Sequence, residues 1–113
     1  MQYLVSASEG PGFSSSGEML QLLEDMVLPT IETLMRLEAE NKILAGGVPL
    51  GDRGFRFIVE AQSNAEVDRM LRSLPLWGLL KWEVIALQTF AGREAHEREF
   101  VQRLAQAMAA NEE

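Results

Sequence analysis

Hydrophobic residues recur at two spacings along this chain, and the order of these spacings constrains the fold more than any other feature. Apolar residues alternate with polar ones in residues 2–8 and 55–61, which is typical of strands with one buried face. They recur at three- and four-residue steps in residues 18–41 and 63–73, which is typical of amphipathic helices. The spacing therefore predicts a strand before each of two helices.

Two more strands and a third helix complete the predicted order. Residues 42–49 predict a strand that is bent or bulged at Gly46 and Gly47, and residues 81–90 predict the last strand. A helix follows over residues 93–110. The order β-α-β-β-α-β predicts an α+β ferredoxin-like fold, in which two helices cover one face of an antiparallel sheet. We expect residues 1–91 to form this domain and residues 92–113 to form a C-terminal helical extension.

Local signals fix where the predicted helices begin and end. Ser16 is a suitable N-cap for the first helix, and Pro29 predicts a kink or break between Asp25 and Pro29 because proline lacks an N–H. Asn41 can end that helix because it tolerates a left-handed backbone. Ser63, with a glutamate three residues later, predicts a capping box at the start of the second helix.

Charge and composition exclude several classes of protein. The formal net charge is −7 and the pI is about 4.7, so nucleic acid and anionic membrane surfaces are poor electrostatic partners. The chain contains no cysteine, which excludes disulfides and thiolate chemistry. No apolar run approaches the ~20 residues that span a bilayer, and the N-terminus lacks the basic start of a signal peptide. We therefore expect one cytoplasmic domain without a membrane or nucleic-acid partner.

Three short segments resemble one protein family. Residues 63–66 (SNAE), 71–77 (LRSLPLW) and 82–84 (WEV) are similar to a stretch found in the muconolactone isomerase family. Residues 3–5 (YLV) are also similar to the start of that family. Lys81 stands where the family has a carboxylate, and residues 43–49 lack the aromatic and basic side chains of the family's second strand.

The resemblance implies a fold, an assembly and a chemistry. The fold is the dimeric α/β-barrel type, in which the open sheet face of one subunit packs against that of a partner. The implied reaction moves a proton within a small unsaturated lactone and uses neither a metal nor another cofactor. The resemblance thus predicts a homodimer or higher homo-oligomer that binds a small-molecule ligand.

Glu83 and Arg56 are the predicted centre of the site. Glu83 matches a polar residue of the family, and burial in a covered strand would raise the pKa of a carboxyl group toward the range useful in acid–base catalysis. Arg56 could hold a carboxylate on the ligand by two parallel hydrogen bonds. The structural alternatives are an ion pair of Glu83 with Arg56 or another basic residue across the sheet, and an Arg56 that faces solvent or a partner subunit. Tyr3 and Trp82 are the further predicted substrate-binding residues.

Other polar residues are interpreted as structural. Asp52 and Arg53 belong to a glycine-rich turn and are expected to be exposed, since a phosphate-binding loop would need a helix after it. His96, the only histidine, is expected on a solvated helix face, because scattered glutamates around it lack the spacing of a metal site.

Three functional hypotheses remain open at this point. The first is a muconolactone-isomerase-like protein that binds a small, partly apolar or anionic ligand between sheets, with possible cofactor-free isomerisation. The second is a non-catalytic oligomerising or ligand-binding module. The third, by fold analogy alone, is a cofactor-free monooxygenase-like enzyme. The terminal helix carries apolar residues and is expected to contact a neighbouring subunit or its own sheet edge.

Overall fold

A four-stranded antiparallel sheet is the centre of the molecule. The computed structural model describes residues 1–112. Its strands lie in the order β2-β3-β1-β4. The elements along the chain are β1 (Gln2–Ser8), α1 (Ser16–Leu22), a π-helical segment (Leu23–Val27), α2 (Leu28–Ala39), β2 (Ile43–Gly47), β3 (Phe55–Glu60), α3 (Asn64–Arg72), a 3₁₀ turn (Trp77–Leu79), β4 (Lys81–Leu87) and α4 (Phe90–Glu112). The predicted α+β ferredoxin-like fold with a terminal helix is confirmed.

Alternation along the strands gives the sheet one buried face. Tyr3, Val5 and Ala7 of β1 are buried, and so are Phe55, Phe57 and Val59 of β3, as the alternating sequence predicts. Leu22, Val27, Ile31 and Leu34 of the helical layer pack against this cluster, and so does Met70 of α3. We call this side of the sheet the covered face and the opposite side the open face. The open face carries no helix from residues 1–89.

Pro29 does not end the first helix, although it disturbs it. The chain stays helical from Ser16 to Ala39, and the N–H of Leu28 bonds to the carbonyl of Leu23, five residues back. Pro29 has no N–H to donate to the carbonyl four residues back, so the regular hydrogen-bond ladder cannot continue through it, and the wide turn lies directly before it. The predicted break at Asp25–Pro29 is therefore not found, and the helix instead widens at Leu23–Val27. Asn41 follows the end of α2 with a φ of 59°, the left-handed backbone that the sequence predicts there.

Helix starts follow serine and threonine caps. The hydroxyl of Ser15, and not the predicted Ser16, accepts the N–H of Glu18 at 3.1 Å. Ser63 caps α3 as predicted, and its hydroxyl accepts the N–H of Glu66 at 3.2 Å. The Thr89 hydroxyl accepts the N–H of Gly92 at 3.0 Å, so α4 begins at Phe90 and not at residue 93.

The second strand is irregular near its glycines. Its pairing with β3 shifts between Ile43 and Ala45. At Gly46, φ is +157°, and an added Cβ would overlap the backbone of Arg56 and Phe57. Glycine is required there because β2 approaches β3 too closely for a side chain.

The last helix projects away from the sheet. Every residue from 90 to 111 is exposed except Gly92, which is half-buried. The radius of gyration is 20.6 Å, and the principal extents are 78 × 29 × 23 Å. A compact chain of this length has a radius of gyration of about 13 Å. None of the helices within residues 1–112 is long and apolar enough to cross a membrane.

Candidate functional site

A cavity lies between the helical layer and the start of β3, and we call it the helix-side cavity. Its volume is about 240 Å³. The loop before α1 contributes Phe13, the π-helical segment contributes Leu23 and Val27, and β3 contributes Phe55. The other lining residues are Gly10, Pro11, Leu22, Ile31, Val48, Asp52, Arg53, Gly54, Leu76 and Leu80. The lining is thus apolar apart from two adjacent charged residues.

Those two residues, Asp52 and Arg53, belong to the turn between β2 and β3. One carboxylate oxygen of Asp52 accepts the N–H of Arg53 at 2.7 Å, and the other lies 3.5 Å from a guanidinium nitrogen of Arg56. The carbonyl of Arg53 accepts the N–H of Gly10 at 2.8 Å, which ties the turn to the loop after β1. Among the described side chains, no carboxylate lies within 4.0 Å of the Arg53 guanidinium.

A second cavity of about 220 Å³ continues along the covered face toward β2. Ile31, Val48 and Phe55 line both cavities, so the two spaces adjoin. Its own lining adds Phe57 and Met35, with Glu38 as the charged residue. A ligand in the helix-side cavity therefore has apolar space beside it.

A third cavity, of about 370 Å³, lies near α3 and the edge strand β4. Tyr3, Val67 and Leu71 line it together with Val84 and Ala86. The Tyr3 hydroxyl donates to the side-chain oxygen of Asn64 at 2.8 Å, so its polar end is already bonded.

The predicted pair Glu83 and Arg56 lies on the open face. In the sheet register Ser6 of β1 pairs with Arg56 on one side and with Glu83 on the other, so the three form one row across three strands. The Cα atoms of the two end residues are roughly 10 Å apart, which is twice the spacing of neighbouring strands. The Arg56 guanidinium donates to the carbonyls of Ala7 at 2.6 Å and Phe55 at 2.9 Å.

Glu83 was expected in a covered strand, and in the single chain it is exposed. The reason is that β4 is an edge strand whose open-face side has no cover from the same chain. Glu83 and Arg56 line none of the three cavities above. Their predicted roles in catalysis and ligand binding remain predictions.

Tyr3 and Trp82 lie on the opposite side of the sheet from this pair. Tyr3 is buried, and Trp82 pairs in register with Ala7, whose side chain is also on the covered face. The indole N–H of Trp82 donates to the carbonyl of Trp77 at 2.8 Å. The structure therefore does not bring the four predicted residues together, because neighbouring strand positions point to opposite faces.

The residues that sequence reasoning passed over are Asp52 and Arg53. Both are exposed, as the sequence predicts for this turn, and both also line the helix-side cavity. Charged residues in a turn give no signal of their own, and the hydrogen bond that joins this turn to the loop at Gly10 connects residues distant in sequence. His96 is exposed on α4, where its Nδ1 lies 2.8 Å from the side-chain nitrogen of Gln88.

Comparison with solved structures identifies proteins with a similar fold. Searches against protein-family models and curated proteins found no match. Among solved structures, muconolactone isomerase matches with a TM-score of 0.63 and 21% identity, covering 79% of this chain and 90% of that protein. The chain has a muconolactone-isomerase-like fold. The resemblance suggested by residues 63–84 is thereby supported at the level of fold.

A second solved structure of this kind is more similar in sequence. It is 5-chloro-2-hydroxyhydroquinone dehydrochlorinase from Burkholderia phenoliruptrix AC1100, in complex with 2,5-dihydroxybenzoquinone. The identity is 27% and the TM-score 0.59, and the match covers 78% of this chain and 94% of that one. Both matches leave about a fifth of the chain uncovered, and α4, with 23 of 113 residues, is a segment of that size.

Proposed function

We propose that this protein binds a small, flat, largely apolar organic anion in the helix-side cavity. One observation carries the proposal: an apolar cavity has at its rim an arginine, Arg53, with no carboxylate of a described side chain within ion-pair distance. A guanidinium in that position offers paired N–H donors to a carboxylate or an acidic hydroxyl group of the ligand. The apolar lining holds the rest of the ligand by excluding water.

The size of the cavity fits a substituted six-membered ring. An apolar cavity of about 150 Å³ holds benzene, and this cavity measures about 240 Å³. The additional volume accommodates two or three polar substituents. The dehydrochlorinase with 27% identity binds 2,5-dihydroxybenzoquinone, a flat acidic ring of this class. The likeness supports the class of ligand.

The chemistry available at this cavity is proton transfer. Asp52 is the carboxylate among its lining residues, and a carboxylate can remove a proton from a carbon made acidic by a neighbouring carbonyl group. The resulting carboxylic acid returns the proton to another carbon of the same ligand, so substrate and product are isomers. Arg53 stabilises the negative charge that forms on the carbonyl oxygen in between.

Calorimetric titration with hydroxyquinones and unsaturated lactones tests the proposal. Val27→Phe fills the cavity and should abolish binding, whereas Leu28→Phe, at an exposed position of the same helix, should leave it unchanged. Arg53→Gln should weaken anionic ligands by about 10- to 100-fold, the effect of losing a charged hydrogen bond. Arg69→Gln on α3 is the matched control. Ligand affinity that survives Val27→Phe contradicts the proposed location.

The same titrations separate an enzyme from a binding module. Nuclear magnetic resonance of the recovered ligand in heavy water shows whether a carbon-bound proton has exchanged. Exchange that Asp52→Asn abolishes supports proton transfer at this cavity. A ligand that binds and is recovered without exchange supports the non-catalytic alternative.

A further inference from the structure

The last helix carries an apolar surface that its own body does not cover. Phe100, Val101, Leu104 and Met108 lie on one side of α4 and are 48–61% exposed. At about 1.5 Å per residue, this surface begins roughly 15 Å beyond the first residue of α4. Burial of these side chains in an interface would gain about 25 cal/mol for each Å² of apolar area removed from water. A surface of this kind marks an interface.

The charges of α4 indicate what kind of partner fits. Arg93 pairs with Glu97 at 2.7 Å and Arg98 pairs with Glu94 at 3.1 Å, both within the helix. Residues 104–111 contain no charged side chain, and Arg103, which lies beside Phe100 and Leu104, places one cation at the edge of the apolar surface. The helix therefore presents no basic patch for a polyanion, and the acidic chain repels anionic lipid surfaces. A second near-neutral apolar helix is the complementary surface.

The sequence of α4 is complementary to itself when two copies run in opposite directions. With Leu104 opposite Leu104, Phe100 faces Met108 and Glu97 faces Asn111. Sulfur–aromatic contact is favourable, and an asparagine amide can donate to a carboxylate. Antiparallel helices also oppose their dipoles. A parallel pair would instead place Glu97 against Glu97, which is repulsive.

We propose that α4 pairs antiparallel with α4 of a second copy of this chain, with the two Leu104 side chains meeting at the two-fold axis. The interface is isologous, since each helix presents the same residues to the other. The first residues of the two helices then lie roughly 40 Å apart, because 14 residues separate Phe90 from Leu104. The helix-side cavity and the open face of each copy stay outside this interface.

Single cysteines test the pairing in a chain that has none of its own. Oxidation of Leu104→Cys should give a covalent dimer, because residues at the two-fold axis bring their Cα atoms within disulfide distance. Phe100→Cys and Met108→Cys should each fail alone, since an antiparallel pair separates identical residues by roughly 12 Å. The variant with both of these cysteines should link. Linkage by all three single variants would indicate a parallel pair and overturn the proposal.

A second measurement does not depend on cysteine chemistry. Leu104→Glu places a charge in the interface and should halve the mass found by light scattering, while Gln102→Glu, on another side of α4, should leave it unchanged. Circular dichroism confirms that both variants are folded. A wild-type mass near 12.6 kDa at micromolar concentration, or an unchanged mass in folded Leu104→Glu, overturns the proposal.

Discussion

On the covered face of the sheet, Val5 and Val59 are 0% exposed, whereas on the open face Ile85 is 45% exposed and Leu4 and Ile58 are half-buried. The same strands carry both sets of residues, one position apart. The difference arises because α1, α2 and α3 cover one face only. A strand's alternation thus specifies two faces, while the chain's own helices complete one of them. Whether another molecule covers the open face depends on how the chain assembles.

The largest expected effect comes from neighbouring residues on opposite faces. Phe57→Ala should lower the free energy of unfolding by about 3–5 kcal/mol, because Phe57 is buried in the core of the covered face. Ile58→Ala should cost under about 1 kcal/mol in a monomer, and its cost should grow with protein concentration if a second copy covers the open face. Urea unfolding at several protein concentrations measures both. An equal cost for the two variants in a proven monomer would contradict the difference between the faces.

The next effect compares one carboxylate from each side of the sheet. Asp52→Asn should lower the proton-exchange rate of a bound ligand by at least about 100-fold, the usual contribution of a catalytic base, and Glu83→Gln should leave it unchanged. Rates are followed by nuclear magnetic resonance at saturating ligand. The reverse result would move the site to the open face, where Glu83 and Arg56 share a row of the sheet.

A buried hydroxyl on the covered face links α2 to the residue before the 3₁₀ turn. The side-chain oxygen of Thr30, which is 0% exposed, accepts the N–H of Leu76 at 3.1 Å. Thr30→Val should cost about 1–3 kcal/mol, because it keeps the shape and leaves a buried N–H without an acceptor. Thr33→Val, which removes a partly buried hydroxyl one turn later on α2, should cost less. Thermal unfolding of both variants provides the comparison.

The smallest effect concerns the exposed start of the helical layer. The hydroxyl of Ser14, with help from its backbone N–H, holds the pKa of Glu18 below its ordinary value. A lowered pKa in the folded state adds stability above the unfolded pKa, and this is lost as the pH falls through the folded pKa. Ser14→Ala should raise the pKa of Glu18 toward its ordinary value in a carbon-detected titration. Ser16→Ala, which leaves the Ser14–Glu18 hydrogen bond intact, is the control; an unchanged pKa in Ser14→Ala would assign the shift to another cause.

Strands and helix caps with strong local signals were predictable from the sequence. The bounds of β1 are as predicted, and Ser63 caps α3, because alternation and side-chain capping act within a few residues. The start of α4 was placed three residues late because Thr89 was not recognised as a cap. Near Ser15, three consecutive serines offered equivalent hydroxyls, and only the backbone geometry selects one.

The candidate site was less predictable, for a geometric reason. Its walls come from the loop after β1, the π-helical segment and the turn before β3, which are distant in sequence. Periodicity indicates which side of a strand is buried and gives no information on where such segments meet. Glu83 was selected through family resemblance, and an exposed edge strand offers it none of the burial that the prediction assumed.

The wide turn at Leu23–Val27 has a consequence for the phase of the whole helical layer. A π-helical turn contains one residue more than an α-helical turn, and each residue advances the helix by about 100°. Residues of α1 are therefore rotated by that angle relative to a straight extension of α2. With α1 rotated in this way, Leu22 and Leu23 line the helix-side cavity. A single-residue deletion within this turn would make the helix regular, swing α1 and the Phe13 loop around its axis, and dismantle the cavity without touching the sheet.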